Sequence, residues 1–387
     1  MSPQEQPAIA AVGPGAAAPL KRETRVDVAG PWTLFWWKFR KHKIAMISLT
    51  LIIALYLVAA FAEFLAPFDP TANSRRHINM PPQALHFVMP TEDGGWTLQP
   101  FVYGYKAELD PKTLARSFTV DETDIVPLRF FGETEPYLLA GVIPMAHKLL
   151  VPENPRDRFF LMGSDRLGRD MVSRMVHGTR VSMSIGLVGV TVSLVLGIVL
   201  GGISGYYGGV LDNVIQRIIE LLQSIPTIPL WMGLAAAIPL AWHPLTVYFL
   251  ITVILSLVGW TSLAREVRGK FMALKNEDFI TAARLDGLPE IKIILGQMVP
   301  SFTSHIIASV TLAIPIMILS ETALSFLGIG LRSPVVSWGV LLQEAQNVRT
   351  IAQTPWLFWP GAAVIVAVLA LNFLGDGLRD AADPYSK

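Results

Sequence analysis

Long apolar runs without a single charged residue constrain this chain more than any other feature of its sequence. A hydrocarbon core about 30 Å thick is crossed by about 20 residues of helix, and every run is near or above that length. The longest run contains a turn signal, Ala241 to Leu245, so it can cross twice. The runs are residues 44–62, 181–211, 221–264, 293–320 and 350–375. They predict six membrane helices, at about residues 44–65, 181–204, 212–238, 245–266, 298–325 and 356–377.

The composition agrees with a membrane protein and excludes several other classes. Only 16% of the residues are charged and 52% are hydrophobic, whereas an average soluble domain has roughly 25% charged residues. A purely soluble protein and a disordered chain are therefore both disfavoured. The formal net charge of +1 leaves no basic field that would hold nucleic acid. Without cysteine there are no disulfides and no thiolate metal site.

Basic residues in the short loops indicate which ends of the helices lie in the cytoplasm. One basic cluster precedes the first predicted helix, and a second lies between the fourth and the fifth. The two clusters are Lys38, Arg40, Lys41 and Lys43, and Arg265, Arg268, Lys270, Lys275, Arg284 and Lys292. The positive-inside rule therefore predicts cytoplasmic N- and C-termini, a cytoplasmic loop at 264–296, and an extracytoplasmic segment at 66–178.

The predicted fold class is an all-α polytopic membrane protein with an N-terminal anchor helix, a five-helix core and one partly β insert. Residues 1–30 are rich in Pro, Ala and Gly and predict a disordered cytoplasmic tail. Residues 31–65 combine an aromatic interfacial segment with the first membrane helix. Residues 66–178, which hold many prolines and short candidate strands, predict the extracytoplasmic insert. The core follows at 179–378, and a cytoplasmic tail at 379–387.

The sequence lacks the motifs of an enzyme. It contains no glycine-rich phosphate-binding loop, and its histidines have no metal-binding spacing. Glu321 is the one carboxylate well inside a predicted span, where a charge costs about 2.5–3.5 kcal/mol. We expect it either to line a path or to face water at the outer end of the fifth helix. Since ion-coupled transporters usually hold more buried carboxylates, the energy for any transport is expected to come from another subunit.

The cytoplasmic loop 264–296 contains a predicted docking helix. Asn276 is a suitable N-cap, the acidic Glu277 and Asp278 favour a first turn, and Gly287 favours a helix end. A second helix is expected to begin at Pro289. Small side chains that permit close approach, and apolar anchors, are Thr281, Ala282 and Ala283, and Phe271, Leu274 and Phe279. An ordinary solvated connector is the alternative, and the residues alone leave both open.

The same loop resembles that of a known family. The segment TAARLDGLPEIKIILGQMVP resembles the E-A-A-x3-G-x9-I-x-L-P loop of ABC-importer permeases, with Ala282, Ala283, Gly287 and Pro300 in matching positions. The segments FLMGSDRLGRDMVSRMVHGTRVS, GGISGYYGG, ETALSFLGIGL, LGDGLRDAADPY and the front end FWWKFRKHKIAMISL resemble the C-type permease of the dipeptide, oligopeptide and nickel class. The resemblance extends from about residue 34 to the end, apart from residues 75–155.

The resemblance implies a half-channel that works with partner subunits in a bacterial inner membrane. A homologous second permease would complete a heterodimer, two ATP-binding subunits would dock on the loop, and an extracytoplasmic solute-binding protein would deliver the substrate. ATP and Mg would bind to the partner ATPases, and this chain would bind no cofactor. The expected ATPase-coupling residues are Asn276, Glu277, Asp278, Phe279, Thr281, Ala282, Ala283, Arg284 and Gly287. Thr281 stands where the family often has Glu, so this chain is expected to lack any salt bridge that the family makes from that position.

The expected substrate is an oligopeptide. Large inserts are associated with oligopeptides in related sequences, and in some with oligosaccharides, and no residue of this chain separates the two. A secondary transporter driven by an ion gradient is a more distant alternative. A scaffold that uses the insert for adhesion is a third.

Two charged motifs outside the loop are expected to have structural roles. They consist of Gly163, Asp165, Gly168, Arg169 and Asp170, and of Asp376, Arg379, Asp380 and Asp383. In the first motif, the family resemblance implies a turn in which one of the aspartates pairs with Arg169 or Arg174. The second is expected to form a charge network at the cytoplasmic edge of the membrane.

Overall fold

The fold is a helical bundle that carries one small sheet. The computed structural model describes residues 30–90, 95–109, 116–239, 241–346 and 353–382. Most of the predicted N-terminal tail and residues 383–387 lie outside the described residues. The α-helices are α1 (Pro31–Lys41), α2 (Lys43–Ala60), α3 (Ala62–Leu65), α4 (Met171–Tyr207), α5 (Gly209–Ser224), α6 (Thr227–Ala236), α7 (Pro244–Leu274), α8 (Asp278–Leu285), α9 (Glu290–Ile293), α10 (Val299–Ser301), α11 (Thr303–Phe326), α12 (Trp338–Glu344) and α13 (Trp359–Ala382). Short 3-10 turns lie at Arg75–His77 and Pro355–Phe358, and a π-helical turn lies at Ile294–Met298.

Within the described residues, five helical segments are long and apolar enough to cross a membrane. They are α2, α4, α7, α11 and the segment Pro355–Ala382 that contains α13. A bent pair, α5 and α6, passes the same test when its two helices are taken together, so the number of candidate spans is six if this pair counts as one. Counted in this way, the candidate spans agree with the six predicted from apolar length.

The third predicted span, residues 212–238, is not one straight helix. The chain bends by 88° between α5 and α6. Ile225 is extended, with φ −91° and ψ 129°, because the ring of Pro226 disfavours the helical conformation in the residue before it. The prediction of a continuous helix was wrong here, since a charge-free run carries no information about where a proline interrupts the backbone.

Two other spans extend beyond their predicted ends. Helix α4 begins at Met171 instead of 181, so residues 171–178 of the predicted insert are helical. Helix α7 continues to Leu274, past the predicted end at 266. Both predictions placed the helix end at the first charged residue. A helix that emerges from a membrane can continue in water, where charged side chains cost little.

The insert contains an antiparallel sheet, as its candidate strands predicted. The strands are β1 (His86–Pro90), β2 (Trp96–Leu109), β3 (Arg116–Leu139) and β4 (Ile143–Pro152), and their order in the sheet is β1-β2-β3-β4. Val102, Leu128 and Phe159 belong to its buried apolar cluster. Since each strand pairs with its sequence neighbours, the sheet forms from local contacts and needs no crossover.

Glycines allow α4 and α7 to lie against each other. A Cβ atom at Gly201 would lie 2.4 Å from the Ala264 carbonyl oxygen, and one at Gly205 would lie 2.6 Å from that of Arg268. Contacts this close require small residues at both positions, as is common where membrane helices pack. The α4–α7 pair is therefore held tightly, and it forms two of the walls of the site described below.

Candidate functional site

A cavity of about 1050 Å³ lies between α4, α6, α7 and α11. Much of its wall is apolar, with Val190 from α4, Trp231 from α6, Leu255 from α7 and Met317 from α11. Its volume is at the upper end of the roughly 300–1,000 Å³ of common small-molecule sites.

A group of polar side chains lines part of this cavity. Glu266 Oε2 accepts a hydrogen bond from Ser309 Oγ at 2.9 Å and lies 3.3 Å from His305 Nε2. The side chains of Glu266 and His305 are 45% and 47% exposed, so both can still contact a ligand. Gln223 and Arg379 also line the cavity. The cavity therefore presents a carboxylate, an imidazole and a guanidinium on walls that also carry hydroxyl groups and many apolar side chains.

Sequence reasoning missed these cavity residues. Glu266 lies at the start of the charged loop 264–296, where one more carboxylate is not distinctive, and His305 and Ser309 are isolated in an apolar run. The one signal was their spacing: residues four apart share a helix face. Arg379 was placed in a charge network instead. In the part of the chain that the structure describes, it forms no ion pair with Asp376, and Asp383 lies outside the described residues.

Glu321 is not at the surface, which corrects the expectation that it faces water at the outer end of the helix, and it does not line this cavity. Its side chain is 0% exposed. It accepts hydrogen bonds from the hydroxyls of Ser325 at 2.8 Å, Ser337 at 2.7 Å and Ser182 at 3.3 Å. These serines belong to α11, to the residue before α12, and to α4, so the carboxylate joins three segments. A buried carboxylate is tolerated where hydrogen bonds surround it, and no sequence pattern indicated that the serines would converge.

The motif before α4 forms the predicted turn and pairs its charges. Asp165 accepts hydrogen bonds from the backbone N–H of Arg169 at 2.9 Å and from its Nε at 2.6 Å. Arg174 also pairs with Asp165. Gly163 and Gly168 have φ angles of +77° and +72°, in the region that favours glycine. The implied pairing through Asp165 is therefore present in the structure.

A fourth charge, Glu344 at the end of α12, completes this cluster. It accepts hydrogen bonds from Arg169 Nη2 at 2.8 Å and from Arg174 Nη1 at 2.7 Å. Burial raises the pKa of Glu344, but Arg174 and Arg169 outweigh that effect and hold the pKa below its usual range. Two carboxylates thus balance two guanidinium groups. Nothing local in the sequence indicates a partner about 170 residues away.

Asp170 has a different role from Asp165. Its Oδ2 caps α4 by accepting hydrogen bonds from Ser173 N and Ser173 Oγ, both at 2.7 Å. Its Oδ1 is buried without a hydrogen-bond partner among the described residues. Burial raises the pKa of Asp170 to about 6, against the opposing effect of the Ser173 hydrogen bonds. Asp170 is therefore a cap and not an ion-pair partner.

Helix α8 lies where the docking helix was predicted, with one end shifted. Its N-cap is Glu277 and not Asn276, since Glu277 is the last extended residue and no side chain caps the helix. Its C-terminal end is a Schellman motif: Leu288 N donates to Ala283 O at 3.2 Å and Gly287 N donates to Arg284 O at 3.0 Å. Gly287 has φ +73° and ends the helix as predicted.

The two faces of α8 are unlike each other. Ile280 and Ala283 are buried in one apolar cluster with Val267 and Phe271 of α7. The other predicted docking residues, Asn276, Glu277, Asp278, Phe279, Thr281, Ala282, Arg284 and Gly287, are exposed. The prediction of an exposed pair of alanines was therefore wrong for Ala283. Likewise, Phe271 is a core residue and not a docking anchor.

Of the exposed apolar side chains on the outside of this loop, Phe279 was a predicted anchor, whereas Leu285 and Ile291 were not predicted. Leu285 is 84% exposed, Ile291 61% and Phe279 44%. Exposed apolar patches of this kind mark interaction surfaces. The Arg284 guanidinium lies 5.5 Å from the centre of the Tyr206 ring, a contact between α8 and the end of α4.

This architecture, a polytopic helical bundle with a cavity between its helices and a short loop helix that has one exposed face, fits the membrane component of a transporter. Residues 197–386 match the family described as the binding-protein-dependent transport system inner membrane component. Residues 30–82 match the N-terminal transmembrane domain of oligopeptide transport permease C. The chain belongs to this family of ABC-importer permeases, and it is a multi-pass inner-membrane translocation component.

Several curated relatives support the same assignment. The chain is 32% identical to the di/tripeptide transport system permease protein DppC of Pseudomonas aeruginosa, over 59% of this chain and 73% of the relative. It is 37% identical to the oligopeptide transport system permease protein OppC of Escherichia coli, over 58% and 72%. The dipeptide transport system permease protein DppC of Bacillus subtilis is 27% identical over 90% of this chain and 84% of the relative.

Proposed function

We propose that this chain forms half of the translocation path of an ATP-driven importer of oligopeptides. The observation that carries the proposal is the cavity of about 1050 Å³ with apolar walls and opposite charges at Glu266 and Arg379. A peptide has an ammonium group, a carboxylate and side chains of varied size. A carboxylate and a guanidinium can accept its two ends, while apolar walls tolerate the variation between.

The same cavity argues against oligosaccharides, the alternative from the sequence. Sugar sites use aromatic side chains as flat platforms. Of the described residues that line the cavity, Trp231 is the one large aromatic side chain. Sugars are also neutral, so they offer no charges to match Glu266 and Arg379, whereas the two ends of a peptide do.

The partners follow from the two surfaces of the chain. A second permease would close the cavity, two ATP-binding subunits would dock on the outer face of α8, and a solute-binding protein would deliver the peptide. ATP and Mg would bind to the ATPases, because this sequence contains no phosphate-binding loop. The basic clusters support a cytoplasmic position for α8 and both termini.

Helix α7 offers a mechanical route between the two surfaces. Its residue Glu266 lines the cavity, and less than two turns further on Phe271 packs with Ile280 of α8 in a single apolar cluster. The bidentate pair of Arg268 with Asp212, at 2.6 and 2.7 Å, also joins α7 to α5. Because packed cores do not deform continuously, movement of α8 by an ATPase would shift α7 and the cavity wall.

Reconstitution of the complete importer in proteoliposomes tests this function. With the second permease, both ATPases and the binding protein present, we expect ATP-dependent uptake of labelled tri- to hexapeptides. Labelled oligosaccharides of similar mass should not accumulate, and should not compete. Uptake of the sugar in place of the peptide would overturn the substrate. Uptake that follows an ion gradient without ATP would overturn the whole proposal.

A further inference from the structure

We propose that the turn between β3 and β4, residues 138–143, inserts into the lipid headgroup region at the membrane surface. We refer to this segment as the hairpin tip. The occupant of its exposed surface is then lipid and not a protein. The inference rests on the position of the insert relative to the membrane helices, and it is independent of which substrate the importer carries.

The side chains of the hairpin tip are unusual for a turn. Val142 is 77% exposed, Ile143 55% and Leu138 54%. The sequence from 137 to 146, YLLAGVIPMA, contains no charged residue. Solvated turns are normally built from Gly, Asn, Asp, Ser and Pro, and an exposed cluster of large apolar side chains needs a partner.

An ion pair marks where the polar region begins. Arg180 of α4 pairs with Glu63 of α3, with Nη2 and Oε2 2.6 Å apart, and its Nε donates to the Ala59 carbonyl of α2 at 2.7 Å. The charge-free run of α2 ends at Glu63, and the run of α4 begins directly after Arg180. The pair therefore lies at the boundary between the hydrocarbon and the headgroups for both membrane helices.

The hairpin tip is attached at this same boundary. Ala140 N donates a hydrogen bond to Glu63 Oε2 at 3.3 Å. Nearby, the rings of Phe64 and Phe131 are 6.1 Å apart. Because the tip hydrogen-bonds the boundary carboxylate itself, its exposed apolar side chains cannot be far from the membrane surface.

Lipid fits this surface in chemistry as well as in position. Apolar side chains at a bilayer interface gain transfer free energy in proportion to buried area, and aromatic side chains such as Phe131 prefer this zone. The pKa of Glu63 is raised by burial but lowered further by its hydrogen bonds from Arg180 and the Ala140 backbone, to about 2. Its carboxylate thus stays ionised and holds the tip at any physiological pH. The tip would brace the insert on the bilayer beside α2.

The natural absence of cysteine makes a direct test possible. The single variants Val142→Cys and Ile143→Cys, in the full chain, are labelled with a nitroxide and reconstituted in phosphatidylcholine–phosphatidylglycerol vesicles. Collision rates with oxygen and with a water-soluble nickel complex are measured by power-saturation EPR. Leu98→Cys, on strand β2 and 86% exposed, is the matched control.

At 142 and 143 we expect oxygen collisions to exceed nickel collisions, because oxygen concentrates in lipid and the complex is excluded. At 98 the order should reverse. Nickel collisions at 142 as frequent as at 98 would overturn the proposal, as would protection from both reagents, which indicates cover by protein. The same measurement with and without the second permease shows whether that subunit is the protein that covers the tip. No peptide or ATPase is involved, so failure here leaves the transport proposal untouched.

Discussion

The guanidinium of Arg174 and the carboxylate of Glu344, about 170 residues apart in the chain, meet in two hydrogen bonds of 2.7 and 3.0 Å. Arg174 is 1% exposed and also pairs with Asp165. The contact ties the first turn of α4 to the end of α12. It therefore holds the start of one cavity-lining helix against the segment that follows α11.

Replacing Glu344 by Gln should destabilise the fold strongly. Removing one partner of a buried pair typically costs about 3–5 kcal/mol, because the remaining charges stay buried without compensation. Thermal unfolding of the detergent-solubilised chain measures the effect. The control is Glu153→Gln at the more exposed pair with Arg129, which should cost at most about 1 kcal/mol. Equal losses of stability in the two variants would show that the buried Glu344 cluster contributes no more to folding than an exposed ion pair.

Asp170 should make the fold less stable as the pH rises. Its pKa, raised to about 6 by burial, lies above the ordinary aspartate value. The contribution of the protonated Asp170 carboxyl to the free energy of unfolding is therefore complete below about pH 4, and it is lost as the pH rises through about 6. Asp170→Asn keeps an oxygen acceptor for Ser173 and removes the titration. Unfolding temperatures of wild type and variant, compared over this range, should converge at low pH and diverge in favour of the variant above about pH 6.

The comparison with the variant is needed because His77 titrates in an overlapping window with the opposite sign. Burial and nearby arginines lower the pKa of His77, so its contribution is lost as the pH falls. That effect is common to both proteins and cancels in their difference. A difference that stays constant with pH would contradict the role given to Asp170.

Leu285→Asp should abolish binding of the ATPases while the chain still folds. The side chain is 84% exposed and its removal disturbs no packing, but a charge at the centre of an apolar docking surface must be desolvated on binding. Co-purification with the tagged ATPase measures the loss. Leu98→Asp, equally exposed at 86% on the distal sheet, should bind normally. Retention of the ATPase by the Leu285 variant would rule out the outer face of α8 as the docking surface.

Glu266→Gln should weaken the interaction with peptides that carry a free amino group. The amide keeps the hydrogen bond from Ser309 but loses the charge, and a hydrogen bond to a charged group contributes about 1.5–3 kcal/mol. We expect the half-saturating peptide concentration for uptake to rise roughly tenfold or more. N-acetylated peptides should be insensitive to the change.

Glu220→Gln is the matched control for that measurement. Glu220 forms an exposed pair with Arg217 on α5 and does not line the cavity. Its replacement should leave uptake of both kinds of peptide unchanged. If Glu266→Gln slowed free and acetylated peptides equally, the carboxylate would act on the conformation of α7 and not on the peptide amino group.

The sequence predicted features whose cause is local. The charge-free runs identify the membrane helices because the hydrocarbon imposes both a minimum length and a ban on charge. Gly287 predicts the end of α8 because only a residue without Cβ adopts φ +73° easily. A pairing of Asp165 or Asp170 with Arg169 or Arg174 was predicted because all four lie within ten residues of the chain, and the structure pairs Asp165 with both arginines.

Features that depend on distant segments could not be found in this way. Ala283 was expected at a docking surface, but its side of α8 packs against α7, and the orientation of a short helix is set by its neighbours. Glu321 was expected at a path or in water, whereas three serines from separate segments surround it.

The sequence by itself determined the class of this protein, the apolar segments that can cross a membrane and the position of the short helix α8 in the loop 264–296. These follow from apolar length, backbone preference and charge, which act over a few residues. Only the tertiary structure decided that Glu266 lines the cavity with Arg379 and that Arg174 meets Glu344. Such contacts depend on how helices far apart in the chain pack, and packing depends on the shape of every side chain between them.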